Sequence, residues 1–258
     1  DFRRKMATYV ITGASSGIGL ELVKQLSERG DRVFATCRKK ESSQTGIDAI
    51  SDVPGDVTVL EGIDVSDDGV GAALAASALA GVTIDAIVHN AGSMNGTREV
   101  PGAEVMSEQQ FETVSMDRMR AAFEVNTLGP LRVQQALAQQ MKTPGGKIAI
   151  ISTGLGSIGD NGSGKNYAYR TSKAGVNMIA KSLSCDFKDK EISVLAIAPG
   201  FVATEFGPGL EAMTKWGAMP VSQSCHGIIK LLDSMNMENT GKFFSVQKGG
   251  ESVKEFPW

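Results

Sequence analysis

Cysteine is scarce: Cys37, Cys185 and Cys225 are the only three in 258 residues, far apart and in no metal-binding spacing. An odd, scattered set argues against a disulfide framework or a zinc site, and for reduced thiols in a reducing compartment. No apolar run approaches the length needed to cross a bilayer, so no membrane span is expected. No basic block follows the first few residues, the net charge is −3 and the isoelectric point lies near 5.5. That balance argues against nucleic acid as a partner. The basic start Arg3-Arg4-Lys5 lacks the apolar core of a secretory signal. Met6 reads as a native start, which makes residues 1–5 either a tag scar or the remnant of a cleaved organelle-targeting peptide. The expected compartment is the cytoplasm in the first case, and an organelle lumen such as the plastid stroma or mitochondrial matrix in the second. Internal repeats, low-complexity segments and interdomain linkers are also missing, so residues 1–258 are expected to form a single domain.

What is present is ordinary for a globular α/β chain: 41% hydrophobic and 21% charged residues, with thirty glycines to serve short strand–helix turns. Tyr9-Val10-Ile11 reads as a buried strand. Gly13-Ala14-Ser15-Ser16-Gly17-Ile18-Gly19 follows, and Leu20, Leu22, Val23 and Leu26 then recur at helical spacing until Gly30. Strand, glycine-rich turn and helix are the setting in which such glycines let a diphosphate approach the backbone at a helix N-terminus. A tight turn without a ligand is the bland alternative.

Arg32-Val33-Phe34-Ala35-Thr36 reads as a second strand, followed by Cys37-Arg38-Lys39-Lys40. An acidic residue at this tip bonds a ribose 2′-hydroxyl, whereas an arginine accommodates a 2′-phosphate. Arg38, with Ser15 as a second contact, therefore favours NADP(H) over NAD(H), the alternative being a merely solvated basic turn. Residues 41–56 are polar and turn-rich. Val57-Thr58-Val59-Leu60 is a third strand, with Asp64 and Val65 beyond it placed to meet an adenine. Asp67-Asp68 acidify the start of an alanine-rich helix running through Ala80. The fourth strand, Ile84–Val88, ends in His89-Asn90-Ala91-Gly92, where Asn90, Ala91 and Gly92 suit close approach to a cofactor and His89 suits packing.

Residues 93–110 read as a loop lining the mouth of a site. Helical spacing resumes at Phe111 and carries Asn126 inward, then continues to Met141 with a bend at Pro130. A buried Asn126 must either cap neighbouring backbone or hold a water for proton relay. Lys147–Ile151 is the fifth strand, and it ends in the hydroxyl cluster Ser152, Thr153 and Ser157. Next, Tyr167-Ala168-Tyr169-Arg170-Thr171-Ser172-Lys173 opens a long helix whose inward stripe runs through Val176, Ala180, Leu183 and Phe187. Tyr169 and Lys173, four apart, share that face. An ammonium beside a phenol favours phenolate, so the expectation is a Tyr169 pKa lowered toward neutral, fit for acid–base work. Tyr167 has Thr171, not a lysine, four residues on. The sixth strand, Ile192–Ala198, closes on Pro199-Gly200. The apolar loop 201–220, with Phe201, Phe206, Met213 and Trp216, suits a substrate lid or a dimer contact. A helix over 222–235 and a strand over Lys242–Val246 complete the pattern. Seven strands alternating with helices predict a doubly wound Rossmann-type α/β fold: a seven-stranded parallel sheet with helices on both faces.

In order along the chain, Thr12-Gly13-x-x-x-Gly17-x-Gly19, Asn90-Ala91-Gly92, Asn126, the hydroxyl cluster, Tyr169-x-x-x-Lys173 and Pro199-Gly200-x-x-x-Thr204 resemble the short-chain dehydrogenase/reductase family from residue 7 to about 248. Gly156-Ser157-Ile158, the insert before Tyr167 and the ending Thr240-Gly241-Lys242-Phe243-Phe244…Pro257-Trp258 are similar to its C-factor/sniffer-type carbonyl reductase branch. The resemblance implies a reversible NADP(H)-dependent reduction of an aldehyde or ketone. Tyr169 would be the general acid, Lys173 would tune it and bind the nicotinamide ribose, and Asn126 would join a proton relay. Gly13, Ser15, Ser16, Gly17, Ile18, Gly19, Pro199, Gly200 and Val202 would line the cofactor, with Thr204 holding the carboxamide. Thr153 stands where the family carries serine; it keeps the hydroxyl but adds a stiffening methyl, and Ser152 or Ser157 are the alternatives. A homodimer or homotetramer is usual in that family. The competing reading is a nucleotide-binding signalling or scaffold protein on the same fold, favoured by the Thr153 departure and the apolar loop.

Overall fold

A computed structural model describes residues 5–38, 44–94 and 110–258. Lys39, Lys40, residues 41–43 of the polar stretch, most of the mouth loop (95–109) and residues 1–4 lie outside the described residues.

The chain alternates as its periodicity requires. Strand β1 (Thr8–Thr12) leads to helix α1 (Gly17–Glu28), β2 (Arg32–Cys37) to α2 (Gln44–Ser51), and β3 (Val57–Glu61) to α3 (Val70–Ala75). Then come β4 (Ala86–His89), α4 (Met116–Phe123), a π-helical turn at Glu124–Leu128, α5 (Gly129–Leu137), β5 (Lys147–Ile151) and the 20-residue α6 (Tyr167–Asp186). The chain ends with β6 (Ser193–Ala198), β7 (Val202–Ala203), α7 (Leu210–Lys215), β8 (Met219–Pro220), α8 (Val221–Ser234), β9 (Lys242–Val246) and β10 (Val253–Glu255).

Seven strands are parallel, in the order β3-β2-β1-β4-β5-β6-β9, as the pattern predicts. An eighth, β10, adds antiparallel to β9 at the edge. All three β10 residues are exposed, so no alternation of apolar and polar residues marked the strand. Alternate residues of the central strands feed two cores. Val10, Phe34, Ile87, Ile148 and Val194 face α3, α5 and α6, while Ile11, Val33, Val88, Ala149 and Leu195 face α1 and α8. Both sheet faces are thus covered, the condition for buried parallel strands.

Four expectations need adjustment, the first being that the helix expected from Phe111 begins at Met116, with Phe111 exposed. The polar stretch 41–56 contains α2, which buries only Ile47 and Ile50 and so carried too short a stripe to register. The helix expected through Ala80 is regular only over Val70–Ala75. The 201–220 loop is partly ordered: β7 and β8 pair as a small parallel ribbon around α7. None of the described helices is long and apolar enough to cross a membrane.

Candidate active site

The sheet order reverses between β1 and β4, and in such sheets ligands bind beyond the carboxyl ends of the strands at that switch point. Three glycines shape the turn there. Gly13 and Gly17 take positive φ (66° and 55°), favoured by residues without a side chain. A Cβ on Gly19 would lie 2.4 Å from the Gly13 oxygen and 2.6 Å from Asn90 Nδ2, so only glycine lets α1 start this close to the turn. Ser16 caps α1 in extended conformation, and Thr204 stands over Gly17, where a Cβ would be 3.5 Å from its methyl.

The turn is braced from β4. Asn90 Nδ2 donates to the Thr12 and Gly13 oxygens at 3.0 and 3.1 Å. The backbone N–H groups of Asn90 and Ala91 donate to Thr12 Oγ1, both at 3.0 Å. The Asn90 side chain is therefore spent on holding the cradle. Arg38 is half-buried just past β2. Asp64 accepts from the Ser66 backbone N–H and hydroxyl at 3.0 and 2.6 Å. Val65 is a core residue against Gly129 rather than an open wall.

Along the rim, Ser224 donates to the Pro199 oxygen at 2.7 Å. Gly200 takes φ 84°, and a Cβ there would lie 2.5 Å from the Met219 methyl and 2.8 Å from the Val246 oxygen. Val202 is buried in β7.

On the far side of the switch point lies the Tyr169 group. Tyr169 and Lys173 are buried, at 8% and 4% exposure. Lys173 Nζ donates to the Ile151 oxygen at 2.7 Å and stands 6.0 Å from the centre of the Tyr169 ring. Burial without a carboxylate partner pulls the ammonium down to about 8. The expected lowering of the Tyr169 pKa is reversed here: burial pushes the phenol up, and what opposes it is a hydrogen bond with Thr153, not the Lys173 charge. The ammonium is turned to a backbone carbonyl, and desolvation dominates the phenol.

The hydroxyl cluster separates clearly. Ser152 donates to Asn177 Oδ1 at 2.6 Å and is 2% exposed. Ser157, equally buried, donates to the Trp258 backbone oxygen at 3.3 Å and accepts from the Asp160 N–H at 3.1 Å. Both are committed elsewhere. Thr153 alone of the three bears on the Tyr169 phenol, drawing its pKa down against burial, while its Oγ1 accepts from the Leu155 N–H at 3.2 Å.

Asn126 is fully buried in the π-helical turn, the kind of local unwinding often found at functional residues. Its Nδ2 donates to the Ser93 oxygen (2.7 Å) and to Ser172 Oγ (3.0 Å), and its Oδ1 accepts from the Ser93 N–H (2.8 Å). All three bonds tie neighbouring segments together. Asn126 thereby ties the segment after Gly92 to α6, and a Cβ on Gly92 would lie 3.3 Å from Asn126 Oδ1 and 3.6 Å from Lys173 Nζ.

One contributor was not foreseen. Asn177, i+4 from Lys173 on the inward stripe, also donates to the Gly156 oxygen at 3.2 Å and so shapes the turn after Thr153; a buried polar residue in that register was the available signal. Phe206 lays its ring 5.7 Å from the Tyr169 ring, centre to centre, supplying an apolar wall. His89 is buried with Nε2 3.1 Å from Gln134 Oε1, and burial holds it down to about 4, in keeping with packing. No cluster of metal-ligating side chains occurs among the described residues.

A family model described as short chain dehydrogenase matches residues 7–215. A 1-hydroxy-2-glutathionyl-2-methyl-3-butene dehydrogenase of Rhodococcus sp. (strain AD45) is 33% identical over 239 residues, 92% of this chain and 96% of the relative. The C-signal protein of Myxococcus xanthus is 33% identical over 141 residues, 54% of this chain and 78% of the relative. Among solved structures, an NADPH-bound carbonyl reductase from chicken fatty liver superposes with a TM-score of 0.79 at 26% identity, covering 99% of this chain and all of the other.

Proposed function

This chain belongs to the short chain dehydrogenase family of oxidoreductases, and from that premise we propose that it is an NADP(H)-dependent carbonyl reductase acting reversibly on an aldehyde or ketone. The observation that carries the reading is the meeting, beyond β5 and beside a glycine cradle at the switch point, of a buried phenol, a hydroxyl that acts on its pKa and a buried ammonium. The turn suits a dinucleotide: side chains on Gly13 and Gly19 would collide with Ala91 and Asn90, so only glycines let it close tightly with bare backbone at the N-terminus of α1, where a diphosphate is favoured. Arg38 favours the 2′-phosphate form. When bound, the dihydronicotinamide supplies a hydride to the carbonyl carbon.

The chain's own residues do the rest. Thr153 Oγ1 donates to the substrate oxygen and orients it. Tyr169 hands its phenolic proton to that oxygen as negative charge develops there. A phenol held protonated by burial is stocked for the acid role. Lys173 keeps positive charge within reach of the phenolate left behind, and the phenol is restored from solvent. The Phe206 ring beside Tyr169 gives the phenol an apolar neighbour. The Rhodococcus relative is named a dehydrogenase and the chicken enzyme a reductase, which fits a site that runs in both directions.

Tyr169→Phe should abolish NADPH oxidation with a panel of aldehydes, ketones and quinones while leaving NADPH affinity within about twofold, because the lost hydroxyl acts on substrate and not on the cradle. Turnover like that of the unaltered protein would overturn the acid assignment. Intact NADPH binding with no turnover across the panel would favour the scaffold reading.

A further inference from the structure

The turn that presents Thr153 is held from outside by the last residues of the described chain. After β10, the Phe256 N–H donates to the Phe243 oxygen at 2.8 Å and its ring packs edge-on against Phe243, 5.4 Å between centres. The same ring lies against Gly154, where a Cβ would come within 3.3 Å of Phe256 Cζ. Trp258 stacks on Phe243 at 5.5 Å and 27°. Its backbone oxygen accepts from the Gly159 N–H at 2.9 Å and from Ser157 Oγ at 3.3 Å. The short helical turn Gly154–Gly156 between these anchors starts directly after Thr153, whose side chain caps it.

We propose that the segment Phe256-Pro257-Trp258 is a positioning strap for the reaction, clamping the 154–159 turn so that Thr153 Oγ1 keeps its register with Tyr169. The inference deepens the carbonyl reductase reading and rests on it. Its physical basis is that the two sides of the site are anchored differently. Tyr169 and Lys173 sit inside a regular helix, whereas Thr153 caps a three-residue turn that the helix holds from one side only, through Arg170 Nη1 to the Leu155 oxygen at 3.1 Å and Asn177 Nδ2 to the Gly156 oxygen at 3.2 Å, the strap being its anchor on the other. A hydroxyl on such a turn needs second anchors to stay within hydrogen-bond reach of its partner. Phe243 supplies the platform because β9 is a paired strand of the main sheet, so the strap carries sheet rigidity to the turn. The glycine cradle lies on β1, α1 and β4, elements apart from the strap and its turn.

The test uses the full chain with Trp258→Ala, and Trp258→Phe as the variant that keeps a ring on Phe243. With Trp258→Ala, amide hydrogen exchange in residues 154–159 should accelerate, led by Gly159. The kcat should fall about tenfold while NADPH affinity stays within about twofold, since displacement of a reacting group costs turnover before binding. Trp258→Phe should restore most of both. In a Thr153→Ala background, Trp258→Ala should change kcat by less than about twofold, because two changes acting through one hydroxyl are not additive. Unchanged exchange at 154–159 overturns the strap whatever the turnover. A tenfold loss that persists in the Thr153→Ala background overturns the route through Thr153. Absence of any turnover in the unaltered protein refutes the carbonyl reductase reading instead, and the exchange comparison still decides whether the strap holds the turn.

Discussion

His89 offers a quantitative check on the physics of the interior. It closes β4 one residue before Asn90, is 2% exposed, and has Gln134 Oε1 as the hydrogen-bond partner of its Nε2. Its Nδ1 faces no partner among the described residues. A second ring proton would therefore bring charge into an apolar layer with nothing to accept it, and burial lowers the pKa from 6.5 to about 4. The sign follows from proton counting. Between those two values the unfolded chain binds more protons than the folded one, so stability rises with pH through the window and is lost as pH falls. A shift of this size corresponds to about 3 kcal/mol once pH is below both values, and to about 2 kcal/mol at pH 5. Urea unfolding at pH 7 and pH 5 would read it against His89→Gln, which keeps a neutral amide facing Gln134 and cannot titrate. The unaltered protein should lose about 2 kcal/mol more than the variant between the two pH values, surface carboxylates cancelling in the difference. Equal losses would mean that the folded protein accepts a protonated His89 without cost, and the burial argument would be wrong.

Other expectations are more directly functional. Thr153→Ala should lower kcat on the order of 10²-fold, the usual effect of removing one donor to a developing oxyanion, while Thr153→Ser should keep most of it; comparable kcat values for the two would sink the hydroxyl assignment. Arg38→Ala should weaken NADPH binding by about 10- to 100-fold, the range of a lost charge-assisted hydrogen bond, and leave NADH nearly untouched, as a fluorescence titration would read. Gly19→Ala would drive a methyl into the Gly13 oxygen and Asn90, costing about 1–3 kcal/mol of thermal stability and at least tenfold in NADPH affinity; a variant with normal melting and binding would mean the turn can open freely.

What the linear order carried is what local physics can express. Lys147–Ile151 and Lys242–Val246 are found with the very limits their β-branched and aromatic runs suggested, because strands inside a covered sheet are predominantly apolar. The glycine turn was readable because positive φ and close approach at Gly13, Gly17 and Gly19 demand residues without side chains. Tyr169 and Lys173 could be put on one face because helical spacing does so irrespective of the rest of the chain.

Tertiary structure decided the rest, through groups distant in sequence. Which hydroxyl is free to act depended on Asn177 and Trp258 engaging Ser152 and Ser157, respectively 25 and 101 residues away. The direction of the Tyr169 shift depended on burial under Phe206 and on Lys173 turning to the Ile151 carbonyl, neither implied by i, i+4 spacing. Edge strand β10 escaped notice because its three residues all face solvent, and it exists only because β9 offers an open edge. Periodicity reports which faces are buried; what buries them, and which polar atoms are left over, is settled only when the chain folds back on itself.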